Sequence, residues 1–478
     1  MMNFEAVIGL EIHVQLNTRT KTFCGCSTEF DEQSNIHTCP VCLGLPGALP
    51  VLNAEAVKKA VTAGIALNCE IASFSVFARK NYFYPDLPKA YQISQYEKPI
   101  NVNGHITITT ESGQTRKIRI TRAHLEEDAG KLVHDEDPKG PSYVDFNRCG
   151  VPLLEIVTEP DIRTPEEACL LLEAVKEIMQ YSGVSDCSME KGELRVDVNI
   201  SLREPGAGAL GVKQEIKNMN SFANVKRALE FEIKRQSKVL RGGGIVKQET
   251  RLFDPNKNAT VSMRSKEEAH DYRYFPDPDL VPVILEKDFI DSIRSSLPEL
   301  PESKRKRFVR DYGLTEYDAA NICSSPFLAN YFEEAAREYG KPKKLANWIL
   351  SETIRVLNER KIRIDRFTVT PHMLVELFEL MDRGVISGKI AKEVFNDMAA
   401  SGKRAEAIVD AKGLKQVTNR DEIARIVEAV ISENTKVVED YRGGKKKAFG
   451  FLVGLVMKKT GGKANPGIVN EILKHALE

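Results

Sequence analysis

The segment Val7-Ile8-Gly9-Leu10-Glu11-Ile12-His13-Val14-Gln15-Leu16 alternates without a break. Ile8, Leu10, Ile12, Val14 and Leu16 fall on one side of an extended chain, and Gly9, Glu11, His13 and Gln15 fall on the other. Ten residues of period two, with β-branched content, predict a half-buried strand. The pattern returns at 193–202, where Leu194, Val196, Val198, Ile200 and Leu202 face a core and Glu193, Arg195, Asp197 and Asn199 form a polar row. On the first of these polar faces Glu11 and His13 stand side by side. A carboxylate beside an imidazole is a potential divalent-metal or proton-transfer pair. A solvated face on an edge strand would carry the same residues.

Around these strands the text is mixed. Residues 105–109 and 116–121 alternate about Glu111-Ser112-Gly113-Gln114, which reads as a hairpin. Helical patterns run from Pro165 to Tyr181, and from Ser221 to Leu240 ahead of three glycines, Gly242, Gly243 and Gly244. Up to about Phe289 this is an α+β arrangement. The strongest boundary is Leu297-Pro298-Glu299-Leu300-Pro301, followed by Lys304-Arg305-Lys306-Arg307. Beyond it Ser325-Pro326 opens a helix that stops at Gly340, and Thr370-Pro371 opens one that ends at Gly384. A weaker break falls at Ser401-Gly402-Lys403. The expected organisation is α+β: a β-rich domain over 1–293, an all-helical domain over 294–405 and a small helical tail domain over 406–478.

A chain of 478 residues can bury a large core. No signal peptide is visible, and the apolar run from Ala448 to Met457 is too short to span a bilayer. The expectation is a soluble, cytoplasmic protein without membrane partners. With 68 basic and 68 acidic residues there is no global field for nucleic acid, so any RNA contact requires cations gathered locally. Between Asp440 and Glu471 no acidic residue occurs, while Arg442, Lys445, Lys446, Lys447, Lys458, Lys459 and Lys463 do. Phe449, Leu452, Val453, Val456 and Met457 recur there at helical spacing, so a helix with a core face and basic ends is predicted. It is a candidate phosphate-backbone contact, against the plainer reading of a solvated tip.

Nine cysteines in a reducing compartment argue against a disulfide framework. Cys24-x-Cys26 and Cys39-x-x-Cys42 form two knuckles separated by twelve residues. Four thiolates make a closed tetrahedral zinc site, structural because no position is left for a substrate. Acidic residues also lie where a core is expected. Glu126-Glu127-Asp128 closes a strand-like run, and Glu155 sits inside the apolar stretch 151–157, where an unpaired carboxylate is costly. With Asp197, these positions favour a hard-cation site such as Mg²⁺ bound with phosphates, although ordinary salt bridges to Arg122, Arg148 or Arg195 suit any one of them. No phosphate-binding glycine loop and no nucleophile–base arrangement is present. Two loops, 80–92 and 270–279, combine cations, prolines and aromatics, a composition that commonly shapes a site.

Several of these segments resemble one family. They are Val7 to His13, the 80–92 loop, His124-Leu125-Glu126-Glu127-Asp128-Ala129-Gly130-Lys131, Asp145-Phe146-Asn147-Arg148 through Glu155-Ile156-Val157, and Met189-Glu190-Lys191-Gly192. Glu215-Ile216-Lys217-Asn218-Met219-Asn220-Ser221 and Arg273-Tyr274-Phe275-Pro276 belong with them. Over essentially its whole length the chain resembles the B subunits of bacterial glutamyl/aspartyl-tRNA amidotransferases. The resemblance implies a heterotrimer in which an amidase-fold A subunit hydrolyses glutamine and a small C subunit ties the other two together. In the B subunit, Mg·ATP would phosphorylate the side-chain carboxylate of Glu misacylated onto tRNA(Gln), or Asp onto tRNA(Asn), and channelled ammonia would displace the phosphate. It implies a catalytic cradle, a helical domain and a tRNA-contacting tail. By the same resemblance Glu11, His13, Glu126 and Glu155 belong to the metal and phosphate neighbourhood, with Asp197 and Glu127 behind them. Lys80 and Lys89 would orient phosphate or line the ammonia path. Some members lack the zinc cysteines, so the intact quartet here favours a structural ion. The competing reading is a zinc-containing RNA-binding or assembly module without chemistry of its own.

Overall fold

The alternating segment forms β1 (Glu5–Gln15), with Ile8, Leu10, Ile12, Val14 and Leu16 at most 2% exposed. Burying five such side chains contributes roughly 7–15 kcal/mol as an upper bound. The computed structural model describes residues 4–134, 140–265, 271–415, 420–461 and 464–477. The next strands in the chain are β2 (Glu70–Ile71), β3 (Phe74–Ser75), β4 (Ala78–Asn81), β5 (Tyr91–Ser94), β6 (Asn101–Thr109), β7 (Thr115–Glu127), β8 (Lys131–His134) and β9 (Ser142–Asp145). They are followed by β10 (Pro152–Thr158), β11 (Leu194–Arg203), β12 (Gln214–Met219), β13 (Glu249–Asp254), β14 (Ala259–Ser265), β15 (Phe275–Pro276) and β16 (Val283–Ile284).

Nine strands make one sheet in the order β14-β13-β12-β11-β1-β10-β7-β6-β2. β1 is central, antiparallel to both β10 and β11. Among the described residues the one parallel pair in this sheet is β12 with β13. The hairpin about 111–114 joins β6 to β7. One face of the sheet is covered by helices α1 (Ala54–Ala66), α2 (Pro165–Tyr181) and α3 (Phe222–Arg241). Their starts follow from sequence: Asn53, Thr164 and Ser221 accept hydrogen bonds from the first-turn amides, and Pro165 occupies the first turn of α2. At Gly64 a Cβ would come within 2.1 Å of Asn101 Oδ1, so only glycine lets α1 lie this close to β6. A second sheet, β15-β4-β5, carries the two aromatic loops, with β5 packed against β7.

The chain divides into two compact units, 1–301 and 302–478. The second unit is helical throughout its described residues. After α4 (Lys287–Ser296) come α5 (Pro301–Tyr312), α6 (Glu316–Ile322), α7 (Pro326–Glu338), α8 (Pro342–Trp348) and α9 (Ile354–Arg360), then α10 (Pro371–Asp382), α11 (Gly388–Ser401) and α12 (Ala405–Lys412). The expected helices at 326 and 371 are present, ending just before Gly340 and Gly384. The last four helices, α13 (Arg420–Glu433), α14 (Thr435–Arg442), α15 (Lys447–Lys459) and α16 (Pro466–Leu477), share a core of their own built on Val427, Leu452, Val456, Val469 and Leu473. Among the described residues no helix is long and apolar enough to cross a membrane.

Candidate functional site

Strand register decides what the polar face of the large sheet brings together. His13 lies opposite Glu155 on β10 and Arg195 on β11, and Glu155 lies opposite His124 on β7. Directly paired residues share a face, so His124, Glu155, His13 and Arg195 run as one row across four strands. Glu126, two residues beyond His124, joins that face. Glu155 Oε2 is 3.6 Å from His13 Nε2 and 3.6 Å from His124 Nε2, and His124 Nε2 is 3.8 Å from Glu126 Oε2. Ser94 on β5 donates to Glu126 Oε2 at 3.1 Å.

These carboxylates are deep, with Glu155 9% and Glu126 2% exposed. Burial pushes the Glu155 carboxyl up, but the charge of His124, the His13 imidazole 3.6 Å away and the charge of Lys80 outweigh it, leaving it well below the carboxylate range. Burial works against the His13 imidazolium too, and the close approach and charge of Glu155, with the charge of Glu126, reverse that and raise it. Lys80 belongs to this group. Burial disfavours its ammonium, but the charges of Glu126, Tyr274 and Glu155 more than offset this, so it stays protonated. Its Nζ lies 5.0 Å from the ring centre of Tyr272 and 6.0 Å from that of Tyr82. Tyr274 stacks on Tyr96 at 4.1 Å.

Glu11 is placed elsewhere. Among the described residues, the ligand atoms on this face fall into two sets, His13 with Glu126 and Glu155, and Glu11 with Asp197 and Glu215. In each set the atoms lie within 4.8 Å of one another. The reason is register: Glu11 pairs across to Asp197 on β11, and Asn199, which donates to Glu11 Oε1 at 2.9 Å, pairs with Glu215 on β12. Lys217 Nζ sits 2.6 Å from Asp197 Oδ2 and 3.0 Å from Glu215 Oε1. His124, Asn199, Glu215 and Lys217 are members of the site that sequence reasoning does not single out. The alternation Glu215-Ile216-Lys217 is the available signal, since it sets Glu215 and Lys217 on one face.

Lys89 is also separate from Lys80. Alternation sends Glu127 to the side opposite Glu126, where it pairs with Lys89 and accepts from the Ile93 amide at 2.9 Å. This pair lines a cavity of about 140 Å³ together with Lys21, Cys24, Cys42 and Gly150. Asp128 turns back to the first group, 2.8 Å from Arg195 and 3.6 Å from Arg148.

The four cysteines converge, their Sγ atoms all within 4.8 Å of one another, with Cys39 and Cys42 at 3.9 Å. A zinc ion with Zn–S of about 2.3 Å sets tetrahedral S–S edges near 3.8 Å, which the Cys39–Cys42 pair matches and the other pairs reach with shifts of at most about 1 Å. The Cys42 thiol is held far below its usual value, at about 4, first by the hydrogen bond from Cys24 and then, against burial, by the Cys39 amide and the charge of Lys21. All nine cysteines are free.

In the tail, Arg442, Lys445, Lys446 and Lys447 lie around the N-terminal end of α15, and Lys458 and Lys459 at its C-terminal end, all exposed. The two ends are roughly 17 Å apart at 1.5 Å per residue. Lys445 pairs with Asp440 and Lys459 with Glu433, whereas Lys446, Lys447 and Lys458 have no ion-pair partner among the described residues. Leu452 and Val456 are fully buried, in keeping with their helical spacing. Lys463 lies outside the described residues.

Both parts of this chain, the β-rich first unit and the helical second, match known family models. The family described as "GatB/GatE catalytic domain" matches residues 6–291, and the "GatB domain" matches 330–477. Similar proteins include the B subunit of the aspartyl/glutamyl-tRNA(Asn/Gln) amidotransferase of Thermoanaerobacter sp. (strain X514), 58% identical over 476 residues and covering all of both chains. Those of Carboxydothermus hydrogenoformans and Thermodesulfovibrio yellowstonii are 55% and 54% identical, each over at least 99% of both chains. The chain belongs to this family of B subunits of tRNA-dependent amidotransferases.

Proposed function

We propose that this chain is the phosphorylating and amidating subunit of a cytoplasmic glutamyl/aspartyl-tRNA amidotransferase, acting on Glu-tRNA(Gln), Asp-tRNA(Asn) or both. A side-chain carboxylate is a poor electrophile. Its oxygen attacks the γ-phosphorus of ATP, ADP departs, and an acyl phosphate forms. Ammonia then attacks the carbonyl carbon, the C–O bond to phosphate breaks, and the amide remains with phosphate as leaving group. The ammonia comes from glutamine hydrolysed by an amidase-fold A subunit, with a small C subunit completing the heterotrimer.

The observation that carries this reading is the convergence of His13, Glu126 and Glu155 beside protonated Lys80 on one sheet face. The carboxylates of Glu126 and Glu155 offer oxygen donors that suit Mg²⁺ or Mn²⁺, with the His13 imidazole beside them, and Glu11, Asp197 and Glu215 form an all-oxygen second set. When bound, Mg²⁺ would neutralise charge that develops on the transferring phosphoryl group. Lys80 adds a fixed positive charge, held by its carboxylate neighbours, against the same oxygens. Lys217 keeps Asp197 and Glu215 converged by supplying positive charge, and His124 stands between Glu126 and Glu155. Arg195, braced by Asp128, closes the row beside His13. Lys89 and Glu127 form a polar pair at the cavity under the cysteine knuckle, suited to lining an ammonia path. The cysteine quartet would hold structural Zn²⁺.

Residues 1–293 serve as the catalytic cradle, 294–405 as a helical domain and 406–478 as the tRNA-binding tail. There Arg442, Lys445, Lys446, Lys447, Lys458, Lys459 and Lys463 contact phosphates of a folded RNA. The complex carrying Glu126→Ala tests this reading on misacylated tRNA with ATP. It should bind tRNA normally yet form no acyl phosphate. Full amidation by that variant overturns the metal and phosphate assignment and favours the non-catalytic zinc-module reading.

A further inference from the structure

Lys21 is among the largest side chains with no solvent exposure. A lysine ammonium is almost never buried to this extent without a negative partner. No carboxylate pairs with it among the described residues. Instead Nζ donates to His37 O at 2.6 Å, to Phe146 O at 3.3 Å and to Cys42 Sγ at 3.7 Å. Three donors thus meet three acceptors, and only the sulfur can carry a full negative charge. The Lys21 backbone is engaged as well, its amide donating to Cys26 O at 3.0 Å. Lys21 therefore touches both knuckles, from its main chain and from its side-chain tip.

The surroundings are built around this side chain. Gly150 has φ +84, and a Cβ there would lie 3.5 Å from both Lys21 Cδ and Cys42 Cβ. Thr22, next in the chain, bonds Gly150 O through its amide at 2.8 Å and its hydroxyl at 3.0 Å. The loop between the knuckles is laced to the same region: Asn147 Oδ1 accepts from the His37 amide, and Asn35 Nδ2 donates to Val144 O. A tetrathiolate zinc site carries a net charge of two minus, which is costly in a partly buried loop.

We propose that Lys21 is a positioning residue of the zinc centre. Its buried ammonium offsets part of the tetrathiolate charge through Cys42, and ties the occupied knuckle to the turn at Phe146. The proposal rests on the cysteine quartet holding zinc. It extends that reading by assigning this lysine the charge compensation, so that the metal and the 146–150 turn are ordered together.

The test uses the full-length chain. Wild type should carry about one zinc per chain by elemental analysis, and if it binds none, the reading of the quartet fails before Lys21 is judged. Lys21→Gln keeps a donor but removes the charge, Lys21→Met removes both, and Lys21→Arg keeps both. Competition with a chromophoric chelator should show zinc affinity lowered about 10- to 100-fold in the Gln and Met variants and within about threefold of wild type in the Arg variant. Co²⁺-loaded protein should show its sulfur-to-cobalt charge-transfer bands displaced to lower energy in the neutral variants and restored in Lys21→Arg. A Gln variant with wild-type zinc affinity and unmoved bands overturns charge compensation. Should the neutral variants not fold, zinc stripping of wild type must accelerate amide exchange at 147–150 at least about tenfold, because the Phe146 anchor is loosened. Unchanged exchange there overturns the proposal.

Discussion

Replacing Glu155 by Gln is the sharpest perturbation of the sheet-face centre, because one oxygen serves two imidazoles. Glu155 Oε2 stands 3.6 Å from both His13 Nε2 and His124 Nε2. A unit charge at that distance is worth about 4–5 kcal/mol gross in an effective dielectric of about 20. Removing the charge also removes the cost of keeping a carboxylate 9% exposed, so the net effect is smaller. Gln keeps the shape and can still hydrogen-bond, so the fold should survive. What is lost is an anionic oxygen from the proposed three-residue cation site, for which a loss of about 100-fold in metal affinity, about 3 kcal/mol, is the expected scale. The assay is the Mg²⁺ dependence of ATP-driven amidation by the reconstituted complex, with Mn²⁺ binding followed by electron paramagnetic resonance. The half-saturating Mg²⁺ concentration should rise about 100-fold. Saturating metal should recover much of the rate, and Glu155→Asp should fall between Gln and wild type. A variant with a wild-type Mg²⁺ midpoint refutes the assignment, whatever its maximal rate.

Other expectations follow from the same geometry. Ile12→Ala, at a fully buried position on β1, should destabilise the chain by about 2–5 kcal/mol, read from the urea midpoint at constant slope. Chelation of zinc, or Cys42→Ser, should lower the thermal midpoint of the first unit, and an unchanged midpoint speaks against an occupied quartet. Neutralising Lys446, Lys447 and Lys458 together should flatten the salt dependence of tRNA binding by about two to three in the log–log slope, while an unaltered slope removes α15 from the interface. Hydrogen bonds from Lys341 and Lys344, and then from Tyr339, hold Asp382 below the usual carboxylate range despite some burial. Its stabilising contribution is therefore present above the unfolded value of about 3.9 and is lost as pH falls through the lower folded value. Asp382→Asn should cost at most about 1 kcal/mol at pH 7, because these lysines are largely solvated, and the gap to wild type should narrow progressively as the pH falls below about 3.9 toward the lower folded value.

The legible part of this protein is what local periodicity dictates. The alternation at β1 and β11, the helix starts at Pro165, Ser221 and Thr370, and the spacing of the cysteines all read directly as strand, helix and knuckles. Alternation also sets Glu11 and His13 on one face, but it says nothing about which strand will lie beside them. The division of the candidate ligands into two sets depends on β11 and β12 pairing in one register, a contact that brings Glu11 to residues nearly two hundred positions away. His124 escapes a local reading for the same reason, since its partner Glu155 lies across a strand pair. Lys80 and Lys89 look alike in an aromatic loop, and only the opposite orientations of Glu126 and Glu127 at the end of β7 send them to different places. Lys21 has the local context of a solvated cation in a polar stretch. Its burial arises when the knuckle loop closes over it against 146–150, which no short window of sequence contains.

The central claim is that this sheet face activates a carboxylate by phosphorylation before amidation. Misacylated tRNA whose glutamyl side-chain carboxylate carries ¹⁸O, incubated with ATP, glutamine and the assembled enzyme, tests it directly. Acyl-phosphate chemistry transfers one carboxylate oxygen to the released inorganic phosphate for every amide formed, and Glu126→Ala should abolish both the transfer and the amide. Phosphate free of ¹⁸O while amide accumulates would contradict the account.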